Sequence, residues 1–270
     1  MSQASPSAWA RWWDSDIVHS FRHSPTAVVA ALLALACVVA AVFAPWLAPH
    51  NPFDLATLEL ADSRLPPAWS AEGNPKYWLG TDDQGRDILS ALMFGARISL
   101  LVGLASQGIS LSIGLVLGLV AGYRGRWTEE IIMRLADVTL AFPSLLLLIA
   151  MAAAFEPSLT VVCTVIGVVG WAGMARLVRG QVLVVRELEY VQAMRALGAR
   201  DRRILLRHVL PNVIAPVVIA ATLGIAGAIM AEAALSFLGL GVQPPTPSWG
   251  AMIADGRDLS QLRNAPWTSL

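Results

Sequence analysis

The chain has 270 residues, 56% of them hydrophobic and 14% charged, and its 19 basic and 19 acidic residues cancel. That charged fraction is well below the roughly 25% of a soluble domain, and several apolar runs approach the ~20 residues that cross a bilayer as a helix. A soluble globular domain is therefore excluded, and the fold class is all-α integral membrane, polytopic. Cys37 and Cys163 both lie inside apolar runs with no metal spacing around them, so neither a disulfide framework nor a zinc site is indicated. The apolar run near residue 27 is too long for a cleavable signal, and proline and aromatics follow it instead of small residues.

In chain order, residues 7–24 predict a short amphipathic helix lying in the membrane interface. Trp9, Trp13, Ile17 and Phe21 recur every four residues, while Arg11, Asp14 and Asp16 fall elsewhere on the wheel. A first span is expected at 27–48, followed by a polar, proline-rich loop at 49–90. The second span is expected at 98–122, ending in the charged turn "YRGRWTEE". The third is placed at 131–155, with Pro143 kinking it, and "EPS" turns the chain into a fourth span at 159–177. An arginine-dense segment separates this from a fifth span at 213–238. Residues 239–266 read as a second polar loop. Five spans are thus visible.

Orientation follows from the basic residues. With the N-terminus inside, Arg64, Lys76, Arg86, Arg97, Arg257 and Arg263 face outward and the other arginines face the cytoplasm. That asymmetry favours a cytoplasmic N-terminus.

The stretch "EYVQAMRALGARDRRILLRHVLPN" (189–212) then lies on the cytoplasmic side. Leu188, Val191, Met194 and Leu197 form an apolar line at a spacing of three, one face of a short helix. Gly198 suits the left-handed residue that ends a helix, and Asp201 suits the N-cap of the next. Ile204, Leu205, His208 and Val209 lie on one side of that second helix, opposite Arg202 and Arg203, and Pro211 sets the boundary before the fifth span. This is a helix–turn–helix held against the bilayer by flanking spans; it is no reader of nucleic acid.

Two carboxylates fall within spans. Glu232, toward the outer end of the fifth, is a candidate for the solute path or gate, or else a hydrogen-bonded tie to a neighbouring span. Asp137, one turn inside the third span, is a second path or gate candidate and is expected to pair with Arg134 at i,i+3. The acids of "TDDQGRD" are expected to be solvated or capping, and no metal site is assigned. GxxxxGK[ST] does not occur, so the chain lacks the usual phosphate cradle of an ATPase. No nucleophile–base arrangement stands out among its residues either.

The stretch at 189–212 resembles the cytoplasmic signature of ABC importer permeases: Glu-Ala-Ala, three residues, Gly, nine residues, Ile-x-Leu-Pro. Here Gln192-Ala193-Met194, Gly198 and His208-Val209-Leu210-Pro211 stand at the same spacing. Gln replaces Glu, Met replaces the second Ala, and His replaces Ile. "YWLGTDDQGRDILSALMFGARISL", "RLADVTLAFPSLLL" and "AEAALSFLGLGVQPPTPSWGAMIADGRD" resemble the dipeptide/oligopeptide/nickel group of these permeases, most of all its second, C-type subunit.

The resemblance implies a type I ABC importer permease fold, with a sixth span beyond the last residue. It divides the chain into an N-terminal cytoplasmic segment (1–24), a first span with its outer loop (25–90) and a permease core (91–270). It implies a multi-pass protein of the bacterial inner membrane that carries di- or oligopeptides or a similar small solute, nickel included. Gln192, Ala193, Met194, Gly198, Leu210 and Pro211 would form the loop that couples to an ATPase. Partners would be a homologous permease subunit, two cytoplasmic ATPases, a solute-binding protein outside, and membrane lipid. ATP and Mg would be bound by the ATPases; no cofactor is expected in this chain. An ion-coupled secondary transporter would instead need ion-coupling groups near mid-membrane, of which the sequence offers few.

Overall fold

A computed structural model describes residues 16–52, 60–243, 246–256 and 265–269. Among them the chain is helical, with one bridge between Thr81 and Asp87. Helix α1 (Asp16–His23) runs into α2 (Pro25–Val42) across Ser24, whose Oγ accepts from Ala27 N at 3.4 Å while Pro25 takes a first-turn position that needs no N–H. The earlier part of the expected interfacial helix, with Trp9, Trp12 and Trp13, lies outside the described residues. The first span is shorter than expected, because the chain breaks at Phe43 before the single turn α3 (Ala44–Leu47).

The central element is α4 (Ile88–Arg124), 37 residues long. At 1.5 Å per residue it is about 55 Å, well beyond a hydrocarbon core of about 30 Å. It starts ten residues before the expected span because the Asp87 carboxylate caps it, accepting from Ser90 N at 3.2 Å. Helices α2, α7 (Leu159–Val185) and α10 (Leu210–Phe237) pack along it. The α4–α7 contact is the closest. Gly114, Gly118 and Gly122 of α4 sit where a Cβ would fall 2.6–2.7 Å from side-chain carbons of Met174, Val178 and Val182. Most of α2 is exposed, as befits a helix facing lipid.

The third span is not one kinked helix. It is α5 (Arg126–Ala141) and α6 (Ser144–Ala153), bent by 89° at Phe142-Pro143. Pro143 has no N–H to continue α5 and biases the residue before it toward extended backbone, which Phe142 adopts. Four helices are long and apolar enough to cross a membrane, or five if this bent pair counts as one span.

Pro211 does not separate the arginine stretch from the last span. Helix α9 (Asp201–Ile204), a π-turn (Leu205–Val209) and α10 form one rod, Asp201–Phe237. Leu210 N donates to Leu205 O, five residues back, and the widened turn takes up the proline that follows. The second polar loop also holds a helix, α11 (Trp249–Gly256), packed on α10 and α4.

Candidate functional site

At the arginine-rich end, α8 (Glu189–Ala196) and α9 form a hairpin. Val191, Ile204 and Val209 are fully buried and join Val178, Val182, Val185, Val213 and Val217 in one apolar cluster, so the base of the hairpin is part of the core. Of the expected apolar line only Val191 and Met194 turn inward; Leu188 is exposed and Leu197 is 82% exposed. Gly198 has φ +78°, the left-handed value, and ends α8 as its sequence position implied. A Cβ there would meet no atom within 4 Å. Gln192 and Ala193 are exposed beside it, and Gln192 Nε2 donates to Glu187 O at 3.1 Å. Leu210 and Pro211 lie at the base, where Asn212 Nδ2 donates to His208 O at 2.7 Å and to Tyr190 Oη at 3.0 Å.

Asp201 is not the cap. Arg200 holds that position with no side-chain bond, and Asp201 is the first helical residue. Its carboxylate accepts instead from Tyr123 Oη, at the end of α4, at 2.8 Å. The Tyr123 ring also lies 5.5 Å from the Arg195 guanidinium of α8. Arg200, Arg202, Arg203 and Arg207 line an open basic concavity of about 750 Å³ beside Gly198.

Asp137 does not pair with Arg134. It pairs with Arg176 of α7, and Arg134 Nη2 instead donates 2.8 Å to Glu130 one turn earlier. Arg179 Nε donates to Glu129 at 2.7 Å. Two ion pairs thus strap α5 to α7, and Arg186 Nη1, just after α7, donates 2.8 Å to Gly122 O of α4.

Glu232 lies at the opposite end and is 0% exposed. Oε1 accepts from Ser236 Oγ and from Ser248 Oγ, both at 2.7 Å, and Oε2 from Ser99 Oγ at 3.5 Å. Ser99 Oγ in turn accepts from Trp249 N at 3.1 Å, and Ser248 Oγ from Ala251 N at 3.1 Å. The carboxylate therefore ties α4, α10 and α11 together, and the hydroxyls meet its demand for donors. None of these serines was singled out in the sequence; the signal available was Ser248 as an N-cap three residues before Ala251.

Of the acids of "TDDQGRD", Asp82 and Asp87 are structural, and the Asp83 side chain is exposed. Asp82 closes a turn on Gln84 N and Arg86 N, both at 2.9 Å, and pairs with Arg86 Nε at 2.6 Å. Nearby, burial first and then its 2.6 Å bond to Asp62 raise the Tyr77 phenol above its usual value. Among the described residues no three of His, Cys, Asp and Glu gather as metal ligands.

Residues 114–266, which hold the hairpin, the α5–α7 ion pairs and Glu232, match the family model described as binding-protein-dependent transport system inner membrane component. The chain belongs to this family. Residues 9–67 match the N-terminal membrane domain of oligopeptide transport permease C. The permease is 44% identical over 254 residues to the di/tripeptide transport system permease protein DppC of Pseudomonas aeruginosa, covering 94% of this chain and 81% of the relative. It is 38% identical to the oligopeptide permease OppC of Bacillus subtilis, over 99% and 82% of the two chains. To the glutathione permease GsiD of Pectobacterium atrosepticum it is 38% identical, over 92% and 78%. The protein is thus a membrane permease subunit of the ABC importer class, and its resemblance to the C-type subunits of the peptide group holds.

Proposed function

We propose that this permease forms one half of an ATP-driven importer for di- or oligopeptides and that the α8–α9 hairpin transmits the motion of an ATPase to the spans. The observation that carries the reading is the form of the hairpin: a tip open at Gln192, Ala193, Leu197 and Gly198 stands on a fully buried base. A tip of two small residues, a glutamine and one exposed leucine suits a groove on a partner. The continuous helical rod 201–237 links that tip to the membrane-spanning part of the chain. Peptide cargo is supported by the peptide and glutathione permeases that the chain matches, and a nickel chelate is the alternative within the group.

In this reading the N-terminus and the hairpin are cytoplasmic, and α11 and residues 60–87 face outward. The partners are a homologous permease, two ATPases that bind ATP and Mg, and a solute-binding protein outside. Residues 1–24, 25–90 and 91–270 act as interfacial segment, anchoring span with its outer loop, and permease core. Asp137, strapped to Arg176, and Glu232, holding α11, are struts whose release accompanies alternating access.

Two measurements test this. Single cysteines at Asn74 and Arg200 should label from opposite faces of the membrane with an impermeant reagent; labelling from one face overturns the topology. An affinity-tagged chain should co-purify with an ATPase and lose it when 192–198 is replaced by a glycine–serine linker. Retention of the ATPase by that variant overturns the coupling assignment.

A further inference from the structure

A cleft of about 590 Å³ lies between α5 and α7, lined by four arginines and three acids. Three ion pairs stand in it: Arg176–Asp137, Arg179–Glu129 and Arg134–Glu130. The first of them is the deepest. Arg176 lies one turn past Ala172, the middle of α7, or about 6 Å along the axis, whereas half a hydrocarbon core is about 15 Å. An arginine at that depth can reach out to the headgroups along its own stem. This one turns to Asp137 on α5, whose short side chain keeps the pair where it is.

The chain does not cover this pair. The Arg176 and Asp137 side chains are 52% and 61% exposed. Ionised groups at membrane depth face a bundle interior or a water-filled space, not lipid. Exposed apolar side chains for lipid stand elsewhere, on α2 at Val29, Leu32, Leu33 and Leu35. The cleft also has a continuation. Gly173 of α7, one turn from Arg176, lines a second opening of about 380 Å³ between α4, α6, α7 and α10, nearer the middle of the membrane.

We propose that the α5–α7 cleft is the inner part of the solute path and that Asp137 and Arg176 together contact a zwitterionic solute. A solute with one charge would take one member of the pair and leave the other without its counter-charge, which is costly. A solute with a free carboxylate and a free ammonium replaces both partners at once. Its carboxylate accepts from the Arg176 guanidinium, a planar donor that suits it, and its ammonium donates to the Asp137 carboxylate. Each wall charge then regains its first partner when the solute leaves, so the contact is weak enough for release, as conduction requires. Opening of the pair by solute also loosens the strap between α5 and α7. The proposal rests on the reading that this chain walls an importer's path, and it names the residues and the class of solute that meet there.

The test uses the full chain assembled with its partner subunits in lipid nanodiscs, with Cys37→Ser, Cys163→Ala and a single new cysteine, Gly173→Cys. A Cβ at Gly173 meets nothing within 4 Å, so the thiol stands in open space. Its rate of modification by a trimethylammonium-bearing methanethiosulfonate is measured with and without peptide in the same complex. Millimolar dialanine should slow the reaction about twofold or more, the weak affinity of a site that must also release its cargo. The neutral diamide N-acetylalanine methylamide should not slow it. The slowing by dialanine should be lost with Asp137→Asn and with Arg176→Gln. Equal slowing by both compounds, slowing by neither, or slowing that survives both substitutions overturns the zwitterion contact. If the chain still co-purifies with an ATPase, the importer reading stands through any of these results. No modification at all in an assembled complex means that the cleft is closed to water, by the partner permease or by lipid, and overturns the proposal. Should the two substitutions prevent assembly, the comparison of dialanine with the diamide decides alone.

Discussion

Tyr123 Oη donates to Asp201 Oδ1 at 2.8 Å, joining the last turn of α4 to the first residue of α9. The same ring lies under Arg195 of α8. One side chain on the longest helix therefore holds both arms of the hairpin. Tyr123→Phe keeps the ring and removes the bond, whose net worth is about 0.5–1.5 kcal/mol. Insertion and assembly should stay normal, while uptake per ATP hydrolysed in the reconstituted importer falls about two- to tenfold. A Tyr123→Phe complex indistinguishable from wild type would show that the apolar base alone fixes the hairpin.

Gly198 stands at φ +78° with open space around it. Valine there meets no neighbour in this chain, so its intrinsic cost is confined to the backbone, about 1 kcal/mol or more. The larger effect should come from the partner surface that the added side chain meets. Gly198→Val should insert normally yet lose solute-stimulated ATP hydrolysis and uptake together. Replacing Arg202 and Arg203 by Gln should have a milder effect, since both are exposed and basic residues near a membrane surface contribute about 1 kcal/mol each. If the arginine changes abolish both activities and Gly198→Val does not, the stretch is an electrostatic anchor and not a coupling element.

What was legible in the sequence was local. Gly198, the inward faces of Val191, Ile204 and Val209, and the break at Pro143 all follow from spacing along the chain. What was not legible depends on residues far away. Asp201 precedes a helix and so resembles a cap, yet its partner Tyr123 lies 78 residues earlier. Asp137 has Arg134 in helical register, but Arg134 takes Glu130 and leaves Asp137 to Arg176 on another helix. Pro143 foretells a bend; its size, 89°, does not follow from the proline alone. Helix α11, eight residues inside a proline-rich loop, is too short for an apolar period to reveal.

Glu232 accepts from three hydroxyls on three segments: Ser99, Ser236 and Ser248. Glu232→Ala would leave them buried without an acceptor, at about 1–3 kcal/mol for each group that finds no other partner. Glu232→Gln keeps one oxygen and should cost less. The thermal inactivation temperature of the detergent-solubilised complex should therefore fall in the order wild type, Gln, Ala, with uptake declining in parallel. An Ala variant as heat-stable as wild type but unable to transport would instead place Glu232 in the path.

The α4–α7 contact rests on Gly114, Gly118 and Gly122, spaced by four and so on one face of α4, a pattern open to inspection in the sequence. Lipid tails are as apolar as the side chains, so helices in a bilayer associate through close packing and small residues, not through a hydrophobic drive. At Gly118 a Cβ would fall 2.6 Å from both Ala175 O and Val178 Cβ. Backbone cannot yield there without moving α7, and α7 carries Arg176 and Arg179, the residues that strap α5. Gly118→Val should therefore part the helices, loosen α5, and sharply lower the amount of permease recovered from membranes. Gly108→Val, on the same helix but with nothing within 4 Å, should be recovered at the wild-type level. Equal recovery of both variants would show that α4 and α7 can separate without loss of the fold, and that the glycine face is not what holds the core together.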